Sequence, residues 1–80
     1  MSTDRSAKRE VRNPILALPA ASSIQALDEP VRVALRALLL EIQADARARA
    51  DKCWKTHKAP MAVYWKAVGV YVGHIARVLR

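Results

Sequence analysis

Seven residues in the second half of this chain carry its most suggestive chemistry: Lys52, Trp54, Lys55, His57, Lys58, Trp65 and Lys66. Cations neutralise phosphates and flat rings stack on bases, so lysines interleaved with tryptophans suit a polyanion with accessible bases. A purely structural account competes with this one. In it, both tryptophans close one end of a helical core and the lysines keep that end soluble. The structural account is preferred for the tryptophans, because Trp65 falls on an apolar helical stripe; the lysines fit either. No winged-helix, zinc-finger, ribbon or RNA-binding sheet motif accompanies the cluster.

The other reactive residue types form weaker patterns. Cys53 and His57 stand four apart on a helix, but a lone pair is not a closed metal site, and His74 is too distant in sequence to complete it. Nor do Cys53 and His57 make a convincing nucleophile pair. There is no glycine-rich phosphate loop and no facing pair of carboxylates, and eighty residues leave little room for a lined pocket. The expectation is a non-enzymatic protein with no cofactor and no metal. Gly69 and Gly73 form a G-x-x-x-G that Ala62 and Ala76 extend, a face that lets two helix backbones approach closely. The stretch Ala59–Leu79 has the length of a membrane span, but Lys66, His74 and Arg77 interrupt it at high cost, so a span is not expected.

These residues must be positioned by helices. Pro60 to Arg80 reads as one amphipathic helix, with Met61, Trp65, Val68, Val72, Ile75 and Leu79 at alternating steps of four and three. Tyr64, Tyr71 and Val78 widen that stripe beyond a narrow two-stranded seam. Before it, Asp28-Glu29-Pro30 is a strong helix start, with Asp28 as cap and Pro30 in the first turn. No breaker follows until Ala59-Pro60. The expected inward face of this longer helix is Val31, Ala34, Leu35, Leu38, Leu39, Ile42 and Ala46, with Arg32 and Arg36 opposite and Leu40 off the stripe. Asp45 with Arg49, and Asp51 with Lys55, are spaced to pair. A short connection between helices makes them antiparallel neighbours and brings Trp54 and His57 near Tyr64 and Trp65. Upstream, Ile15–Leu18 lies between Pro14 and Pro19, which rules out a long helix there. A short helix over about 20–27, with Ile24 and Leu27 inward, follows. Residues 1–13 read as a disordered basic arm rather than a signal peptide, since no apolar run follows their charges.

Size and charge bound the rest. Eighty residues make one domain, over 14–80, and a domain this small often needs a partner, a metal or disulfides. Cys53 is the single cysteine, which fits a reducing cytoplasm. The formal net charge is +7, and residues 51–80 alone carry six bases against Asp51. Such a balance favours nucleic acid or an acidic protein surface as partner.

The sequence therefore predicts an all-α fold: an antiparallel helical hairpin, about 29–58 and 60–80, with a short N-terminal helix, completed as a bundle by dimerisation. Its expected function is nucleic-acid binding through a Lys/Arg face, as an accessory or regulatory factor. The residues assigned to that face are Arg32, Arg36, Arg47, Arg49, Lys52, Trp54, Lys55, Lys58 and Lys66. Leu40, Gly69 and Gly73 are assigned to the homodimer contact. The alternative is a small adaptor or inhibitor that docks on a larger protein. The length and the alanine- and arginine-rich usage are in the style of small accessory proteins of high-GC bacteria or their phages, a likeness that transfers no residue role.

Overall fold

The computed structural model of the chain describes residues 12–80. Most of the expected basic arm lies outside the described residues. The elements are a single 3-10 turn at Pro14–Ala17, helix α1 at Ala20–Gln25, helix α2 at Glu29–Lys55 and helix α3 at Ala59–Val78. No strand occurs among the described residues. α2 and α3 pack antiparallel as a hairpin, and the N-terminal segment lies mainly against α3.

The start of α2 follows the sequence: Glu29 and Pro30 occupy its first turn, and Lys52 and Lys55 its last. Asp28 precedes the helix but its side chain makes no capping bond. Arg32 does more at this end. Its Nε donates to the Leu27 carbonyl at 2.9 Å and its Nη1 to the Leu79 carbonyl at 3.5 Å, which ties the start of α2 to the end of α3.

α2 ends in a turn whose bonding explains the hairpin. The His57 amide donates to the Trp54 carbonyl and the Lys58 amide to the Cys53 carbonyl, at 3.2 and 2.8 Å. This is the paired pattern of a Schellman ending, and it requires a left-handed residue between its two bonds. His57 takes that conformation, with φ 63°. The Lys52 carbonyl accepts twice from Thr56, from its amide at 3.0 Å and its hydroxyl at 2.9 Å. α3 then begins directly, with Pro60 in its first turn.

The seam between α2 and α3 is not where the leucines lie. On α2 the more covered positions are Arg32, Arg36, Leu39, Gln43, Ala46, Ala50 and Cys53, at steps of four and three. Opposite them, Ala62, Gly69 and Ala76 recur every seven residues on α3 and are all buried. Ala46 is 1 % exposed. A Cβ built on Gly69 would sit 3.6 Å from Arg47 Cγ and 3.9 Å from Ala46 Cβ, so the two helices meet through small residues. Gln43 closes the seam polarly, its Nε2 donating to the Gly69 carbonyl at 3.1 Å.

This register corrects the expected inward face of α2. Val31, Leu35, Leu38 and Ile42 are exposed, whereas Arg32 and Arg36, expected on the far side, border the seam. The physical reason is distance of approach. Small side chains let backbones come close, and the helices settle on the row that permits it. No large side chain is fully buried among the described residues.

The N-terminal segment covers the outer edge of α3 near its end. Asn13 is buried; its Oδ1 accepts from the Ile15 amide at 3.2 Å, and its Nδ2 donates to the His74 carbonyl at 2.9 Å. Asn13 thus begins the packed part of the chain. Ile15, Leu16 and Ile24 are half-buried, and Val78 and Leu79 are buried. Leu27, expected to pack inward, stays exposed, as does Leu18.

Candidate nucleic-acid interface

The seam register divides the hairpin into two outer sides. A residue one place before a seam residue points about 100° to one side of it, and a residue one place after points to the other. In an antiparallel pair the same offset on both helices leads to the same side. The sequence can therefore be read off by side.

One side takes the positions before the seam. It holds Val31, Leu35, Leu38 and Ile42 from α2, and Met61, Tyr64, Val68, Tyr71 and Ile75 from α3. Leu38 is 55 % exposed and Tyr71 62 % exposed. Toward the turn this side becomes polar. Arg49 pairs with Asp45 at 3.1 Å and lies over the Trp65 ring, 5.3 Å from its centroid. Trp65 in turn meets Tyr64 edge-on, with ring centroids 5.1 Å apart. Trp65 is only half-buried, where the apolar stripe predicted burial in the core.

The other side takes the positions after the seam, and it mixes the cations Arg47, Lys66 and Arg77 with the exposed Val33, Leu40, Trp54, Val63 and Val70. Two adjoining open clefts run along it. The one nearer the turn, about 640 Å³, is lined by Trp54, Val63, Lys66 and Val70, with Arg47 and Asp51 at its wall. The one nearer the chain ends, about 420 Å³, is lined by Arg36, Leu40, Arg47, His74, Arg77 and Arg80 among others. Arg47 belongs to both. The sole acidic side chain along the two clefts is Asp51, and Lys55 already holds it at 3.0 Å.

The nine residues assigned from sequence do not share a face. Arg36, Arg47, Trp54 and Lys66 converge on the clefts. Arg32 is engaged at the helix ends. Arg49 and Lys52 lie on the opposite side by register, and Arg49 is paired there. Lys55 is paired with Asp51, and Lys58 is exposed at the connection. Trp54 lines the cleft with Val63 and Lys66, whereas Trp65 and Tyr64 turn to the other side. Arg77 and Arg80 were missed. Their signal is present, since Lys66, Val70, Gly73, Arg77 and Arg80 step along α3 by four and three, but it emerges only once the seam is known.

Gly69 and Gly73 face α2 of the same chain. Leu40 is exposed at the rim of the arginine cleft. Among the described residues no cluster of His, Cys, Asp and Glu can hold a metal ion, and no helix is long and apolar enough to cross a membrane. The many exposed apolar residues mark a surface for a partner. The chain matches no protein-family model, no curated protein and no solved structure.

Proposed function

We propose that this chain is a non-enzymatic nucleic-acid-binding protein that works as a homodimer, its apolar side joining two copies and its basic side meeting phosphate. The observation that carries the reading is the row of cations with no acidic partner, Arg36, Arg47, Lys66 and Arg77, along one side of the hairpin, opposite the larger group of exposed apolar residues. Two hairpins joined through their apolar sides form a four-helix bundle and leave both basic sides outward. From their fractional exposures, the apolar residues of one copy offer on the order of 700 Å² of surface, close to the ~800 Å² per partner of a standard interface. The alternative, an adaptor that docks on a larger protein, uses the same apolar side but leaves the unneutralised cationic clefts without a role.

Titration with random-sequence duplex DNA, single-stranded DNA and RNA at two salt concentrations tests the proposal. Affinity is expected to fall steeply as salt rises, because each neutralised phosphate releases counterions. Arg47→Glu together with Lys66→Glu is expected to weaken binding to every sequence alike. Absence of binding even at low salt removes the reading and leaves the adaptor.

A further inference from the structure

Resting on the nucleic-acid reading, we infer that the basic side takes single strands in preference to duplexes. Its two clefts differ in a way that matches the two parts of a nucleotide. The cleft nearer the turn has an apolar floor, from Val63 and Val70, beside the Trp54 ring, which is 65 % exposed. The cleft nearer the chain ends has three guanidinium groups, of Arg36, Arg77 and Arg80, and no acidic side chain. Arg47 stands between them as a common wall. Within this arrangement the Arg36 Nε is buried with no hydrogen-bond partner.

A duplex cannot use this pairing of surfaces. Its bases are stacked inside and offer no face to Trp54. The clefts also follow the furrow between α2 and α3, whose small-residue seam draws the two helices close. Arg36 and Trp54 are ~27 Å apart along α2 at 1.5 Å per residue, room for several nucleotides. In the bound state the sugar–phosphate backbone runs past Arg47 toward Arg36, Arg77 and Arg80, and an unpaired base stacks on Trp54.

The test compares the full-length chain with an oligothymidylate, its RNA counterpart, a random-sequence duplex of equal length and inorganic polyphosphate, by anisotropy or competition at low salt. The single strands are expected to bind about tenfold or more tighter than the duplex, in keeping with one or two stacked bases. Trp54→Ala is expected to remove that advantage and leave polyphosphate affinity unchanged, and Trp54→Phe to restore most of it. Trp54 is exposed, so circular dichroism of Trp54→Ala is expected to match the parent, which separates a lost ring from a lost fold. Arg77→Gln with Arg80→Gln is expected to weaken all four ligands and to lower the salt slope. Duplex binding as tight as single-strand binding, with Trp54→Ala without effect, overturns the inference and leaves the nucleic-acid reading standing. Failure of all four ligands to bind overturns both.

Discussion

The seam between α2 and α3 and the leucine–tyrosine side next to it are one residue apart on each helix, yet they are built from opposite materials. The middle of the seam uses alanine, glycine and one glutamine, with Leu39, Cys53 and two arginines toward its ends, and is closed within the chain. The adjoining side uses leucine, isoleucine, methionine and tyrosine, and is left open. Apolar area alone would rotate both helices to bury the larger residues. Their actual rotation shows that close approach through small residues decides the pairing, and that the large residues stay exposed. The same offset exposes the cationic clefts on the far side, so one choice of register sets both surfaces.

The largest expected effect comes from breaking the seam. Gly69→Leu drives a branched side chain into Arg47 Cγ, Ala46 Cβ and the Gln43 carbonyl, all within 3.9 Å of the position where its Cβ must stand. The α2 backbone cannot yield cheaply there, and overpacking of this kind costs about 3 kcal/mol or more. A core this small supplies on the order of 3–5 kcal/mol in all, so loss of the cooperative thermal transition is the expected result. A Gly69→Leu variant that melts like its parent would show that the seam is not the primary contact.

A different effect, on assembly rather than on the fold, is expected on the open side. Leu38→Glu with Tyr71→Glu places charges where a single chain exposes both residues. In an isolated hairpin such surface changes are worth within about 0.5 kcal/mol each. In a dimer they put charge into a buried interface and remove two large apolar anchors, about 1.5–3 kcal/mol apiece. The parent is expected to scatter light as a dimer and to melt at a concentration-dependent temperature, and the double variant to scatter as a monomer. A parent that stays monomeric across concentrations removes the homodimer and gives the open side to another protein.

These contrasts also show how far the sequence could be read. The all-α hairpin, the proline-led helix starts and the two i,i+4 ion pairs were legible, because capping, breakers and helical spacing are local. The rotation of α2 was not. Val31, Leu35, Leu38 and Ile42 make a persuasive inward stripe, and nothing local says that Ala46, one heptad beyond Leu39, outranks them. The candidate site inherited that error: Arg36, Arg47, Trp54 and Lys66 were found as cations or rings of suitable type, while Arg77 and Arg80 needed the register of α3 against α2. The turn was hidden for another reason. A histidine in the left-handed conformation at residue 57 has no signature as plain as the glycine that usually stands there.

The finest test of the comparison lies inside the seam, between its two glycines. At Gly69 an added Cβ would meet its neighbours at ordinary contact distance, 3.6 Å and beyond. Gly69→Ala is therefore expected to gain helix propensity at little steric cost, stabilising the fold by about 0.5–1 kcal/mol. At Gly73 the same methyl would collide with Nε2 of Gln43, the nitrogen that donates to the Gly69 carbonyl. Gly73→Ala gains the same propensity, but the glutamine must swing away, and the loss of its bond offsets the gain by about 0.5–1.5 kcal/mol. Gly69→Ala is thus expected to be the more stable of the two by roughly 1 kcal/mol in urea unfolding. Gln43→Ala supplies the control. In that background nothing obstructs Gly73, so the difference between the two alanine variants is expected to shrink toward zero, a coupling that a double-mutant cycle reads directly. If the difference persists without Gln43, the seam is held by contacts other than the glutamine bridge, and the Gly73 position owes its small size to the approach of the backbone itself.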